Sequence, residues 1–316
     1  MATMNRHDFN RAWTNLNRRF PFTHRTEGSR YLVLGISHGL GDIIASTPAI
    51  RHYHSQGYRV LLPCWAQYQV AFKNMPEIDR FITIPPRCHE WSSLGDVRRV
   101  ADAIRDQVDD VDGDVYVCSG FHKWTDAVQS RLPYYRIYPS AEWNSERCRA
   151  FNLMTNMGVP PPVAELTAGD IRLAFDPVET SSFDVVLSMG SQDRLRRFKP
   201  EMVRELASKI EFTIVGGVHD DEREIIGDVP AFDPVMRLPI NHVLSAISRA
   251  GLMISPDTGL THAALAMGIS TVTFQSPEFI HYPHDYLHVH ECDLWGLTAT
   301  DVISVINKRH HELRRS

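Results

Sequence analysis

Residues 35–50 read GISHGLGDIIASTPAI and follow the short apolar run Tyr31-Leu-Val-Leu34. An apolar run this short, bounded by glycine, has the pattern of a buried parallel strand. Glycines 35, 39 and 41 mark a turn, and the stretch after it reads as a helix. Strand, glycine turn and helix together make the first unit of a doubly wound α/β domain. A dinucleotide loop is the first reading to test. Gly39-Leu40-Gly41 supplies its opening G-x-G, but the third glycine would fall at Ile44, and no acid closes the next strand, YRVLLP, to hold a ribose. No Gly-Lys-Ser/Thr follows, so a phosphate loop is excluded as well. What remains is a turn, shaped by Gly39 and Gly41, that carries Asp42 toward the carboxyl end of the sheet.

Working outward, YLVLGI, YRVLLP, RFITIP and DVYVCSG read as strands, with helices over STPAIRHYHSQG and LGDVRRVADAIRDQV. Residues 134–158 read as helical. The Pro-rich stretch GVPPPVAELTAGDIRLAFDPVET is the linker candidate, and a second alternation runs from FDVVLSMG through EMVRELASKI, FTIVGG, NHVLSAISRAG, LMISP, THAALAMG and STVTFQ. The expected organisation is a basic extension over 1–30, an N-terminal Rossmann-like domain over 31–160 and a linker over 161–183. A C-terminal Rossmann-like domain over 184–295 and a closing helix over 296–316, crossing back to the first domain, complete it. Two such domains face each other across a cleft at the carboxyl ends of their strands.

The 316 residues suffice for two cores, and 43% hydrophobic with 22% charged content is that of a globular protein. Five cysteines with no Cys-x-x-Cys pair argue against a zinc ribbon or a disulfide framework. No apolar run approaches the roughly 20 residues of a membrane span and no signal-peptide core is seen, so the expectation is a cytoplasmic protein, peripheral to an inner membrane at most. A net charge of −5 argues against general polyanion binding, but the ends are basic: Arg6, Arg11, Arg18, Arg19, Arg25 and Arg30 precede the first strand, and the tail reads NKRHHELRR. Phe9, Trp13, Leu16 and Phe20 form an amphipathic stripe there. Such a helix packs on its own domain or contacts an anionic surface.

The second array carries a counterpart to the opening turn. In LMISPDTGLTHAALAMG a strand ends, Pro256 and Gly259 shape a turn, and a helix of small residues begins near Leu260. The amino end of that helix presents N–H groups that favour a phosphate, unless Asp257 and Thr258 serve only as its caps.

Taken together, HGLGDIIASTPAI, RRFKPEMVRELASKIEFTIVGGVHDDERE and SPDTGLTHAALAMG resemble, in order, three motifs of glycosyltransferase family 9, the heptosyltransferase family. The likeness runs from about residue 31 to 306. It implies a GT-B fold of two Rossmann-like domains and a sugar nucleotide as co-substrate with no other cofactor. It also implies inverting chemistry that needs no metal. Asp42 matches the family's catalytic aspartate and would take the acceptor's proton. Its other reading is an N-cap. Arg196, at a position where the family usually has lysine, and the amides of Thr258, Gly259, Leu260 and Thr261 would neutralise the leaving diphosphate. His262 is placed near the phosphates, Ser191 is a further phosphate candidate, and Asp220 or Asp221 would accept from ribose hydroxyls. Phe198 stands where the family has tryptophan. Asp112-x-Asp114 precedes its strand and reads as a turn, and His281, His284, His288, His290 and Cys292 read as a loop near the donor pocket, with a metal site as the alternative.

The acceptor implied by the resemblance is a bacterial glycan such as lipopolysaccharide core. A hydroxymethylated DNA base, contacted with help from the basic termini, is the alternative acceptor, and a non-catalytic nucleotide-binding module is the alternative of a different class.

Overall fold

A computed structural model describes residues 28–35, 39–84, 94–119, 135–137, 149–157, 159, 168–190, 196–275 and 287–313. The basic N-terminal stripe, Ser191, His281 and His284 lie outside these residues.

Strand β1 (Ser29–Gly35) is followed by the short helices α1 (Leu40–Ala45) and α2 (Thr47–Ser55). The sequence Ser46-Thr47-Pro48 divides them. Proline adds no N–H to the first turn of α2, where none is needed. The Ser46 and Thr47 hydroxyls meanwhile donate to the Asp42 and Ile44 carbonyls at 2.7 Å each, closing the end of α1. The first half continues through β2 (Tyr58–Cys64), α3 (Ala66–Gln69), β3 (Ile78–Thr83), α4 (Leu94–Val108), β4 (Gly113–Ser119), β5 (Tyr135–Ile137) and α5 (Arg149–Asn156). Its sheet is parallel throughout, in the order β3-β2-β1-β4-β5. The uninterrupted apolar run of β1 has a simple cause. Leu32 and Leu34 enter the core beneath α1 and α2, while Tyr31 and Val33 enter the one beneath α4, so both faces of the strand are buried.

The second half comprises β6 (Phe183–Leu187), α6 (Pro200–Ala207), β7 (Thr213–Val215), α7 (Asp220–Ile226), β8 (Ala231–Phe232), α8 (Ile240–Ser248), β9 (Ala250–Pro256), α9 (Gly259–Ala266), β10 (Thr271–Gln275), β11 (Leu287–Glu291) and α10 (Ala299–Leu313). Its parallel sheet runs β11-β10-β9-β6-β7-β8. Renumbered from their own first strands, the two sheets have the same order, 3-2-1-4-5, extended by a sixth strand in the second. Each therefore reverses its winding beside its first strand, at β1/β4 and at β6/β9, and opens a crevice at the carboxyl ends there.

A buried apolar cluster joins the halves: Leu40, Ile43 and Ile44 of α1 belong to the same core as Ala263 and Ala264 of α9 and Val243 and Leu244 of α8. The segment before β6 is tied to both. The Arg172 amide donates to Thr47 Oγ1 (2.9 Å), Ala174 exchanges backbone bonds with Ala71 and Asn74, and the Val178 amide donates to Ser245 Oγ (2.9 Å).

Two sequence expectations are corrected, and one strand had none. Residues 134–158, expected as a helix, contain β5, which extends the first sheet, and only then α5. The stretch HYPHDYLHVHEC, expected as a loop, contains β11, which pairs in register with β10 so that His288 lies opposite Val272 and His290 opposite Phe274. Its Leu-His-Val-His alternation has the period of a strand. Strand β8 is two residues long, too short to show any period. Helix α10 packs on α6 and β10, with Val302, Val305 and Ile306 in the second core.

Candidate active site

Between the two sheets lies a cleft of about 580 Å³ whose described walls all follow strand ends. The first-half wall comes from the turns after β1 and β2, and the second-half wall from those after β6, β7, β8 and β9.

The two glycine-containing turns touch at its base. A Cβ on Gly41 would stand 2.6 Å from His262 Cδ2 and 3.1 Å from Gly259 Cα, and one on Gly259 would stand 3.0 Å from the Gly41 nitrogen. A methyl group on Gly41 would force the His262 ring to shift, and one on Gly259 would be tightly crowded, so the amino ends of α1 and α9 meet closely because both positions are glycine. Gly41 thus serves close packing and lies within α1, which replaces the expectation of a flexible turn. Asp42 is in the first turn of α1, buried to 8% exposure, and borders the cleft. It is not the N-cap: that position is Gly39. A carboxylate in a first turn is favoured by the helix dipole.

On the opposite wall, Thr258 caps α9 through its side chain, which accepts from the Thr261 amide at 3.4 Å. Thr261 is fully buried, its hydroxyl bonded to Ser255 Oγ and to the Pro256 carbonyl at 2.9 Å each. Its amide and side chain therefore hold the turn, while Gly259 and Leu260 border the cleft with N–H groups in the turn where a helix has no internal acceptors. His262 is 3% exposed and borders the cleft beside Gly41.

The two neighbouring arginines are used differently. Arg196 Nη2 donates to the Asp257 carbonyl (2.9 Å) and pairs with the Asp257 carboxylate, yet its side chain keeps 42% exposure at the cleft edge. Asp257 is thereby an anchor for Arg196 and not a helix cap. Arg197 is 7% exposed and pairs through Nε and Nη2 with the two carboxylate oxygens of Glu222, Nε to Oε1 at 2.7 Å. Glu222 also accepts from the His219 amide at 2.9 Å. Arg197 also donates to the Gly190 and Gly217 carbonyls at 3.5 and 3.4 Å, bracing that backbone at the cleft wall.

Asp220 and Asp221, expected at the ribose, are exposed in the first turn of α7 and are not among the residues that border the cleft. The acid that turns inward is the next one, Glu222, and it is already paired.

Several bordering residues drew no attention in the sequence. The turn after β8 places Val235, Met236 and Leu238, all exposed, at the cleft rim. The Asp233 carboxylate holds that turn by accepting from the Arg237 (2.8 Å) and Leu238 (3.1 Å) amides. In the first half, Trp65 and Tyr68 stack at the mouth, their ring centroids 5.5 Å apart and their planes inclined by 24°. Burial pushes the Tyr68 hydroxyl pKa up, opposed by a hydrogen bond to Gln67, which also borders the cleft. A turn inside a weakly periodic loop has no sequence signal of its own; only the strand-end position, known once the sheet order is known, reveals it.

Among the described residues no group of three or more His, Cys, Asp or Glu side chains is placed to hold a metal ion, and no helix is long and apolar enough to cross a membrane.

No protein-family model matches the chain, and no curated protein matches it in sequence. Solved structures do. The glycosyl transferase family 9 protein from Veillonella parvula DSM 2008 superimposes with a TM-score of 0.67 at 13% identity, covering 89% of this chain and 96% of its own. E. coli heptosyltransferase WaaC with ADP-2-deoxy-2-fluoro heptose gives a TM-score of 0.61 at 16% identity, covering 89% and 99%. E. coli ADP-heptose lps heptosyltransferase II gives 0.61 at 15% identity, covering 88% and 98%. The chain therefore has the two-sheet, GT-B-like fold of the family 9 heptosyltransferases.

Proposed function

We propose that this chain is a glycosyltransferase that moves a sugar from a nucleotide diphosphate, of the ADP-heptose type, to a hydroxyl group of a glycan such as lipopolysaccharide core. The observation that carries this reading is the contact between the α1 and α9 turns. It sets the Asp42 carboxylate on one wall of a single cleft, with the amino end of α9 and the Arg196 guanidinium on the other. Transfer from such a donor needs a base on one side and a diphosphate sink on the other, and the two walls offer that pair.

In the proposed step, Asp42 accepts the proton of the acceptor hydroxyl as its oxygen bonds to the anomeric carbon. The bond from that carbon to the diphosphate oxygen breaks, and its electron pair leaves with the diphosphate. Attack from the side opposite the leaving group inverts the centre. Arg196 and the Gly259 and Leu260 amides take up the developing charge, the task a metal ion performs in other designs. The identity of the fold with ADP- and ADP-heptose-binding structures supports an ADP-sugar donor.

A thermal-shift series with ADP, UDP and GDP, free and as their sugars, tests the reading. A ligand held at about 100 times its Kd stabilises by about 2.7 kcal/mol, and the ADP compounds should give the largest rise. No rise with any of the six would remove the donor from this cleft.

A further inference from the structure

The proposed reaction leaves open what kind of acceptor the first-half wall is shaped to hold, and the stacked aromatic pair bears on this. Trp65 follows β2 directly and opens α3, and the Tyr68 amide donates back to the Trp65 carbonyl at 2.9 Å, so one turn of helix fixes both rings. They are anchored from different sides: Trp65 packs on the core beneath α4, Tyr68 on the core beneath α1 and α2. Two rings held this way lose little freedom when a ligand lies on them. Both border the cleft on the same wall as Asp42, and Gln67 between them adds an exposed amide able to donate and accept. None of the described residues on this wall is lysine or arginine; the cleft's arginines stand opposite. A phosphorylated or carboxylated ring, or a DNA backbone, calls for cations beside it. An uncharged pyranose instead presents an apolar face of C–H groups to an aromatic ring and hydroxyls to an amide at its edge.

We propose that Trp65, Tyr68 and Gln67 form an acceptor subsite for an uncharged pyranose ring, which stacks on the aromatic pair and turns a hydroxyl toward Asp42. This rests on the transferase reading above for its purpose, but its test does not depend on the donor.

Saturation-transfer NMR on the full chain, with methyl glucoside, methyl galactoside and methyl mannoside as probes and N-acetylneuraminic acid as the anionic comparison, reads the contact directly. At least one neutral glycoside should receive saturation at its ring C–H protons. The signal should fall about tenfold in Trp65→Ala and Tyr68→Ala, the loss of one stacking partner, and persist in Trp65→Phe and Tyr68→Phe. ADP affinity, read by calorimetry, should be the same in all four variants, since the donor wall is untouched. Irradiating only the aromatic protons of the unaltered protein gives a reading that needs no variant: stacked ring protons receive more saturation than under methyl irradiation. Equal signals in the alanine variants, a response confined to the anionic sugar, or tight binding of a duplex DNA 12-mer in its place would each overturn the subsite. Failure of ADP to bind, with glycoside stacking intact, would instead count against the donor reading and leave this one standing.

Discussion

The two walls of the cleft are built by the same plan and carry opposite chemistry. Each is the crevice beside the first strand of a parallel sheet wound in the same order, and each begins with a turn into a helix whose amino end faces the other. On the first wall the turn brings an acid, Asp42, and the turn after β2 adds two aromatic rings and an amide to the same wall. On the second the turn is a hydroxyl-capped helix with an arginine at its edge. Topology thus supplies two equivalent places for a ligand, and a few side chains decide which one suits a proton donor and which an anion.

Asp42→Asn should break this division most sharply. A shared base contributes about 10² to 10⁴ in rate, so turnover should fall by about 10³ while ADP affinity is retained. Equal turnover in the variant would transfer the base to another group, and a protein with donor affinity but no turnover in either form would be a binding module.

The second wall can itself be divided, because its two adjacent arginines differ in burial. Glu222→Ala strands Arg197 without its partner and should cost about 3 kcal/mol of stability in a denaturation experiment. Arg196→Ala removes a guanidinium that is 42% exposed, although its partner Asp257 is buried, so it should cost less stability than Glu222→Ala while kcat/KM drops about 10²-fold. If the two effects were exchanged, Arg197 would be the anion ligand and Arg196 the brace.

The smallest effect is expected where the halves are pinned together. Hydrogen bonds from Asn74 and then Lys73 hold the Asp176 carboxyl below the usual carboxylate range. A depressed carboxyl stabilises the fold above its unfolded pKa, about 3.9, and loses that contribution as pH falls through the folded value. Asp176→Asn should therefore lower the melting temperature slightly at pH 7 and not at pH 2. A difference that persists in acid would mean that the side-chain amide disturbs the segment by some route other than charge.

Much of this was legible in the chain. The alternation of apolar runs and amphipathic stretches specifies two parallel sheets because a strand covered on both faces has no polar side to interrupt it, as β1 shows. Asp42, Arg196, Gly259, Leu260 and His262 are found together at one cleft. The misplaced residues share a cause. Asp220, Asp221 and Glu222 are three consecutive acids, and which of them turns inward depends on the phase of α7 against the sheet, a rotation of about 100° per residue that composition does not carry. Thr261 looks like its neighbours until its hydroxyl is seen bonded beneath the turn.

By itself, then, the sequence determined most of the elements, though not β5, β8 or β11, together with the switch-point turns and the types of group delivered to them, because hydrophobic period and glycine placement are local properties. Only the tertiary structure decided which groups are spent on holding the site and which face into it. It also decided that Gly41 and Gly259 approach each other closely, and that Trp65 and Tyr68 border the same cleft as Asp42. Those facts are contacts between residues far apart in the chain, fixed by how two separately patterned sheets pack through α1 and α9.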